Sequence, residues 1–95
     1  MPRVRVTANA VEDLARLAAS HGLPADTGAR VGRRLRALQQ FPLLGRALGG
    51  RYEGMRYVLG PWPWLLIVYE FREARDEVMV LGMFDARSAA SPTNE

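Results

Sequence analysis

The fold is decided by residues 41–87, which read FPLLGRALGGRYEGMRYVLGPWPWLLIVYEFREARDEVMVLGMFDAR. This stretch contains two long apolar runs, residues 64–71 and 78–84, which are rich in Val, Ile, Leu and aromatic side chains. Runs of this kind, bounded by turn residues, are typical of buried strands. The polar link between them, residues 72–77, suits an antiparallel hairpin and is too short for a helical crossover. We therefore predict that this hairpin forms the centre of the sheet.

The N-terminal residues predict a strand followed by a helix. Residues 3–6 alternate Arg and Val, which is the period of a half-buried strand, and the arginines suit the edge of a sheet. Thr7 is a suitable N-cap, and the apolar residues after it recur at helical spacing. Gly22 follows this pattern in the position where helices commonly end. The first helix is therefore predicted between Thr7 and Gly22.

A second helix is predicted from a cap at Asp26 or Thr27 to about Gln40. Pro42 ends it, because the residue before a proline is biased away from the helical conformation. Three arginines cluster on one face of this helix, at positions 30, 33 and 34. This face is either a solvated surface, with the apolar stripe packed on the sheet, or a binding surface for a partner.

The remaining strand is predicted at residues 54–59, where Gly60 and two prolines then turn the chain into the hairpin. The element order is β-α-α-β-β-β. We predict a single α+β domain with a mainly antiparallel four-stranded sheet and two helices packed on one face. The domain is expected to span residues 1–88, followed by a short flexible C-terminal tail, residues 89–95.

The composition of the 95 residues narrows the chemistry. There is no cysteine, which excludes disulfides, thiol chemistry and zinc sites built on cysteine. The single histidine, His21, cannot build a histidine metal cluster, so we predict no metal and no cofactor. The N-terminal residues lack the apolar region of a signal peptide, and no apolar run is long enough for a membrane helix. We expect a soluble, cytoplasmic protein that does not enter a membrane.

The positive charge is concentrated in the middle of the chain. All 13 basic residues are arginines, and residues 30–56 contain seven of them with a single acid, Glu53. The absence of lysine is consistent with a biased base composition, and arginine also suits phosphate and carboxylate partners. A basic segment of this kind predicts an anionic partner, either nucleic acid or an acidic protein segment.

Two further features indicate contact with another protein. Trp62 and Trp64 flank a proline at a hairpin tip, in the turn that leads into residues 64–71, where they either pack under the turn or form an exposed aromatic anchor. Residues 64–71 are apolar at both parities, whereas the two helices can cover only one face of the sheet. A bare apolar face would favour a permanent partner protein or a second copy of this chain, that is, a homodimer.

Four pieces of the sequence, in this order, resemble the RelE/ParE superfamily of bacterial toxins from type II toxin–antitoxin modules. They are the "FP..GR" of residues 41–46, the "G.R" of residues 54–56, the strand that ends at Tyr69, and the closing strand at residues 80–87. The resemblance covers residues 4–87. It implies a toxin that is neutralised by a cognate antitoxin.

The details of the resemblance favour the ParE branch. The RelE branch cleaves mRNA on the ribosome with basic residues on the sheet, but the corresponding positions here are Leu66 and Gly82, and a common histidine is replaced by Asp85. An RNA-cleaving site needs cations and a matched acid and base. The resemblance therefore implies a non-catalytic inhibitor that binds DNA gyrase. The alternative is a RelE-like mRNA endoribonuclease in which other arginines replace the missing cations. A plain nucleic-acid-binding domain is less well supported.

The candidate binding residues follow from both lines of argument. Arg46, Arg56 and Arg87 match arginines that recur in the family, although one or two of them could instead pair with Glu53 or Asp85 to hold the loops. The residues predicted to bind the target or the antitoxin are Arg33, Arg34, Arg46, Arg51, Arg56, Trp62, Trp64, Asp85 and Arg87.

Overall fold

The computed structural model describes residues 1–94 and confirms the α+β class. Its helices are α1 (Ala8–His21) and α2 (Thr27–Gln40). Its strands are β1 (Arg3–Val6), β2 (Arg46–Ala47), β3 (Arg56–Leu59), β4 (Leu65–Arg72) and β5 (Glu77–Asp85). Short 3₁₀ helices lie at Gly50–Tyr52, Glu73–Arg75 and Pro92–Asn94. Within these residues, none of the helices has the length and apolar character needed to cross a bilayer.

The sheet has five strands in the order β1-β5-β4-β3-β2, one more than predicted. The additional strand, β2, has only two residues, which pair antiparallel with Tyr57 and Arg56. The sequence gives no alternation over so short a segment, so these residues were expected to be loop. The predicted hairpin is confirmed: β4 and β5 pair antiparallel from Leu65 opposite Asp85 to Arg72 opposite Glu77. A register shift in this pairing lies between Val68 and Tyr69.

β1 joins the other edge of the sheet and pairs in parallel with only the first part of β5. Thr7 links this strand to α1, because its hydroxyl accepts from the Ala10 N–H at 3.2 Å and donates to the Val80 carbonyl at 2.9 Å. Beyond β1 the edge of β5 meets α1 through Asp13, whose carboxylate accepts from the Met83 N–H at 3.0 Å. The predicted cap at Thr7 is therefore confirmed, and it also fixes the helix on the sheet.

The helix ends follow the sequence in most respects. α1 ends at Gly22, which adopts the left-handed conformation with φ of 60°. α2 begins after Asp26, but the Asp26 side chain makes no capping hydrogen bond and instead pairs with Arg30 at 2.9 Å. The Thr27 hydroxyl donates to the Pro24 carbonyl at 2.6 Å. Asp26 is therefore the N-cap residue of α2, as predicted, but no side-chain hydrogen bond reinforces the cap.

Both faces of β4 are buried within the single chain over residues 65–69. The main core packs Leu65, Ile67 and Tyr69 of β4 against residues of both helices. On the opposite face, Leu66 and Val68 are only 1% and 2% exposed. β4 therefore lacks the bare apolar face that would have favoured a permanent partner or a homodimer, and the structure gives that argument no support.

Part of the predicted tail is also packed. Ser91 is 1% exposed and Pro92 is buried, whereas residue 95 lies outside the described residues. The domain boundary after residue 88 stays a prediction.

Candidate functional site

The loop between α2 and β2, residues 41–45, is held in one backbone conformation by two side chains of the sheet. The Tyr69 hydroxyl donates to the Pro42 carbonyl and accepts from the Gly45 N–H, each at 2.8 Å. The Arg56 guanidinium donates to the Gly45 carbonyl at 2.8 Å and to the Leu43 carbonyl at 3.5 Å. Burial raises the pKa of the Tyr69 phenol, which keeps it protonated as a donor. These bonds satisfy the polar backbone of a loop that has no ladder of its own.

Gly45 is required at this place for reasons of space. A Cβ atom on Gly45 would lie 2.6 Å from the Tyr57 carbonyl oxygen and 2.8 Å from the Tyr69 ring. The residues that carry the sequence resemblance in this region, among them Pro42, Gly45, Arg56 and Tyr69, therefore interact with one another. Their role is to position the loop, and this is where the structure places the predicted residue Arg56.

The same loop displays large apolar side chains to solvent. Phe41, Leu43 and Leu44 are 61%, 60% and 50% exposed, and they line a shallow hollow together with Phe71 of β4. Exposed apolar residues are ordinary one at a time, but three in four positions on a fixed backbone form a patch. Sequence reasoning missed these residues as a surface, because it treated the Phe-Pro pair only as a helix-ending signal and a family motif.

A second hollow adjoins this patch at the edge of the sheet. It is lined by Leu44, Arg34, Arg46 and Leu59, among others. The Arg34 Nε atom donates to the Leu59 carbonyl at 2.7 Å, so this side chain is fixed against the end of β3. The side chain of Arg46 is exposed, and within residues 1–94 its guanidinium makes no hydrogen bond or ion pair.

A third hollow continues from Arg34 toward the turn between β3 and β4. It is lined by Asp26, Arg30, Arg33, Arg34 and Pro61. Arg30 is paired with Asp26, whereas the exposed side chain of Arg33 makes no ion pair or hydrogen bond within the described part of the chain. The structure thus brings together three of the predicted arginines, at positions 33, 34 and 46, on one surface.

The predicted aromatic pair lies in a different cluster at the turn between β3 and β4, residues 60–64, which we name the hairpin tip. The Trp64 ring stacks on His21 with ring centroids 4.0 Å apart and on Trp62 with centroids 6.4 Å apart. The guanidinium of Arg87 lies 5.5 Å from the Trp64 centroid, and that of Arg30 lies 5.8 Å from the Trp62 centroid. Both tryptophans are partly buried and pack against the core. His21 and Arg30 were missed as partners, since they lie far from the tryptophans in sequence.

Asp85 completes this cluster through charge. Its carboxylate receives two hydrogen bonds of 3.0 Å from the Arg87 side chain and lies 3.3 Å from His21 Nε2. The hydrogen bonds from the Arg87 side chain and backbone, together with the nearby charges of Arg87 and His21, lower the pKa of Asp85 to about 2. The same pair raises the pKa of Arg87. The alternative role considered for Arg87, pairing with Asp85, is therefore the one that the structure has.

Arg51, the remaining predicted arginine, lies apart from both clusters in the short helix Gly50–Tyr52. A further apolar groove, of about 730 Å³, runs between α1 and α2 and is lined by residues such as Val11, Ala15, Gly28 and Val31. In residues 1–94, no group of three or more His, Cys, Asp or Glu side chains is placed to hold a metal ion.

Comparison with known proteins identifies the fold. No protein-family profile matches the sequence, and no curated protein matches it. Among solved structures, the chain is similar to the RelBE2 toxin–antitoxin complex from Mycobacterium tuberculosis, with a TM-score of 0.66 and 24% identity over 90% of this chain and 99% of that one. It is also similar to the intact RelBE toxin–antitoxin complex from E. coli, with a TM-score of 0.69 and 11% identity over 93% and 100% of the two chains.

A third similar structure is a copper-bound mutant toxin from Helicobacter pylori, with a TM-score of 0.67 and 18% identity over 90% of this chain and 94% of that one. All three likenesses extend over nearly the whole domain. This protein therefore has the fold of RelE-superfamily toxins, as the resemblance in sequence implied.

Proposed function

We propose that this protein is the toxin of a type II toxin–antitoxin system, which inhibits growth by binding a cellular target and is neutralised by a cognate antitoxin. The observation that carries this proposal is the surface made by the 41–45 loop and the arginines beside it. The loop backbone is fixed by Tyr69 and Arg56, while its apolar side chains and Arg46 stay exposed. A fixed, exposed apolar patch next to unpaired cations is typical of a protein-binding surface.

Binding without catalysis is supported by the groups on the sheet. Leu66 and Gly82, which stand where the RelE branch has cations, are both buried. The Tyr69 phenol is hydrogen-bonded to the backbone of the 41–45 loop, and the Asp85 carboxylate is paired with the Arg87 guanidinium. A general acid–base pair must have a free proton donor and acceptor within reach of the substrate, and these groups already have partners. The proposed mechanism is therefore a ParE-like one, with DNA gyrase as the target in the cytoplasm.

The second candidate is a RelE-like mRNA endoribonuclease. It is favoured by one observation: Arg33 and Arg46 carry exposed guanidinium groups without partners in the described chain, and such groups suit phosphates. In this function the arginines would hold the RNA backbone rather than a protein.

Two assays, run in parallel, separate these functions. The chain is expressed under tight control in a bacterium, and the purified protein is added to gyrase supercoiling and to ribosome-dependent mRNA cleavage. Growth arrest with loss of supercoiling and intact mRNA is the expected result. Cut mRNA with normal supercoiling would establish the endoribonuclease instead, and normal growth together with two negative assays would overturn the toxin proposal.

A further inference from the structure

Three hollows lie in a row along one side of the molecule and share residues where they meet. Leu44 lines both the apolar hollow of the 41–45 loop and the hollow at the sheet edge, and Arg34 lines both the edge hollow and the one beside Pro61. They form one continuous surface, which we name the edge track. One end of the track is apolar and the other is basic.

The backbone of the apolar end is held by hydrogen bonds within the chain itself. The exposed side chains of Phe41, Leu43 and Leu44 project from a backbone that the Tyr69 hydroxyl and the Arg56 guanidinium hold. A loop that is already ordered loses little conformational entropy when something binds to it. Within the described chain, the residues that line this hollow are uncharged, so it favours an apolar ligand group.

The basic end has free hydrogen-bonding capacity. Arg34 uses one donor on the Leu59 carbonyl, which leaves the rest of its planar fork available. Arg33 and Arg46 have no internal partner in residues 1–94, and Asp26, the acid in this part of the track, is occupied by Arg30. Groups of this kind attract carboxylates or phosphates.

The apolar end of the edge track favours a ligand with carboxylates over a ligand with phosphates. A nucleic acid would satisfy the arginines of the basic end, and one of its bases could stack on Phe41, but it would offer Leu43 and Leu44 no aliphatic surface. A protein segment with apolar residues followed by carboxylates satisfies both ends at once. The juxtaposition of the two ends therefore favours a protein ligand.

We infer that the edge track binds one segment of a partner protein, with apolar side chains on Phe41, Leu43 and Leu44 and carboxylates beside Arg33, Arg34 and Arg46. The inference rests on the proposed function, in which the chain acts by binding proteins, and it specifies the chemistry of the partner's segment, which is apolar at one end and acidic at the other.

The test selects ligands from a random peptide library displayed on phage, with the full chain immobilised. Enriched peptides are expected to carry a cluster of apolar residues on one side of a cluster of Asp and Glu, in either chain direction. Binding of a synthesised winner is expected to weaken at least about tenfold in each of two variants, Leu43→Ser with Leu44→Ser and Arg33→Gln with Arg46→Gln. Arg36→Gln, an exposed arginine of α2 outside the track, and Val11→Ser, in the groove between the helices, are the matched controls.

Several results would overturn the inference. Winners without acidic residues, or winners that the Val11→Ser variant weakens instead, would move the binding site to the groove between the helices or elsewhere. A single-stranded RNA oligonucleotide that binds through Arg33 and Arg46, with no effect of the leucine variant, would make the track a nucleic-acid surface. Sedimentation of a dimer that the leucine variant dissociates would make its occupant a second copy of this chain.

The growth assay separates failure of this inference from failure of the proposed function. If the wild-type protein arrests growth but selects no apolar–acidic peptides, the toxin proposal stands and the inference about the edge track is overturned. If the protein selects such peptides but does not arrest growth, the edge track stands and the toxin proposal is overturned.

Discussion

The loop of residues 41–45 and the hairpin tip are both places where the sequence predicted binding residues, yet they are organised in opposite ways. In the loop, the sheet holds the backbone, and the side chains of Leu43 and Leu44 are left to solvent. At the tip, the side chains hold one another: Trp64 lies against His21 and Arg87, and Arg87 is bonded to Asp85. The side chains of the loop are exposed and make few contacts within the chain, whereas those of the tip are already paired with one another.

This difference shows what a recurrent arginine can mean. Arg56 and Arg87 both match the resemblance in sequence, and both are occupied within the chain, one by backbone carbonyls and the other by a carboxylate. Arg46 matches the resemblance as well, yet its guanidinium has no partner in the described chain. A recurrent arginine can therefore either hold the framework of a surface or stay available to a ligand.

The largest expected effect is that of Gly45→Ala in the loop. The new methyl group would lie 2.6 Å from the Tyr57 carbonyl, which is backbone and cannot move away without disturbing β3. We expect a loss of about 3 kcal/mol in the free energy of unfolding, measured by urea denaturation. Gly49→Ala is the control, because a Cβ there meets nothing within 4 Å, and its unfolding should be nearly unchanged.

Tyr69→Phe tests the hydrogen bonds of the loop while keeping the ring. The Pro42 carbonyl and the Gly45 N–H would lose their partner in a buried place, which costs about 2 kcal/mol. Hydrogen exchange should show faster exchange at residues 43–46 than the change in global stability explains. Equal protection of the loop in the variant would mean that Arg56 alone suffices to hold it.

Trp64→Leu tests the hairpin tip. The substitution keeps an apolar group on the core but removes the ring that stacks on His21 and lies beside Arg87. We expect a loss of about 1 kcal/mol in unfolding free energy and no change in peptide binding to the edge track. A marked loss of binding in a folded variant would assign the tip to the interface after all.

Asp85→Asn has the smallest expected effect, and it depends on pH. The pKa of Asp85 is lowered in the folded protein to about 2, below the ordinary value of 3.8. The stabilisation is therefore fully present above about pH 4 and is lost as the pH falls toward 2. The wild type should lose more stability than the Asp85→Asn variant over this range in denaturation curves taken at successive pH values. Parallel curves for the two proteins would contradict this prediction.

The sequence predicted the centre of the fold better than its edges. The apolar runs of β4 and β5 indicate buried strands by themselves, and Thr7 and Gly22 mark the ends of α1 through local chemistry. The two-residue strand β2 carries no pattern, because it forms only where the fixed loop brings it beside β3. The burial of Leu66 and Val68 likewise depends on the packing of the whole chain.

The same limit applies to the candidate site. The pairing of Asp85 with Arg87 was predictable, since the two residues are close in sequence. The contacts of Tyr69 with Pro42 and of Trp64 with His21 join residues far apart in the chain, and no local spacing encodes them. Which arginine stays free is decided by contacts of that kind. The sequence therefore located the arginines but did not tell the occupied ones from the free ones.

The hydrogen bond from Met83 to Asp13 has a consequence for how the protein behaves in a crowded cell. β1 covers only the first part of β5. The rest of that edge of β5 would otherwise present unpaired backbone N–H and C=O groups, with which a strand of another chain could pair. Asp13 occupies the Met83 N–H with a carboxylate that is also bonded to Arg16 at 3.0 Å. An approaching strand would have to displace a carboxylate before it could pair there. The fold thus carries its own protection against polymerisation at the end of its most apolar hairpin.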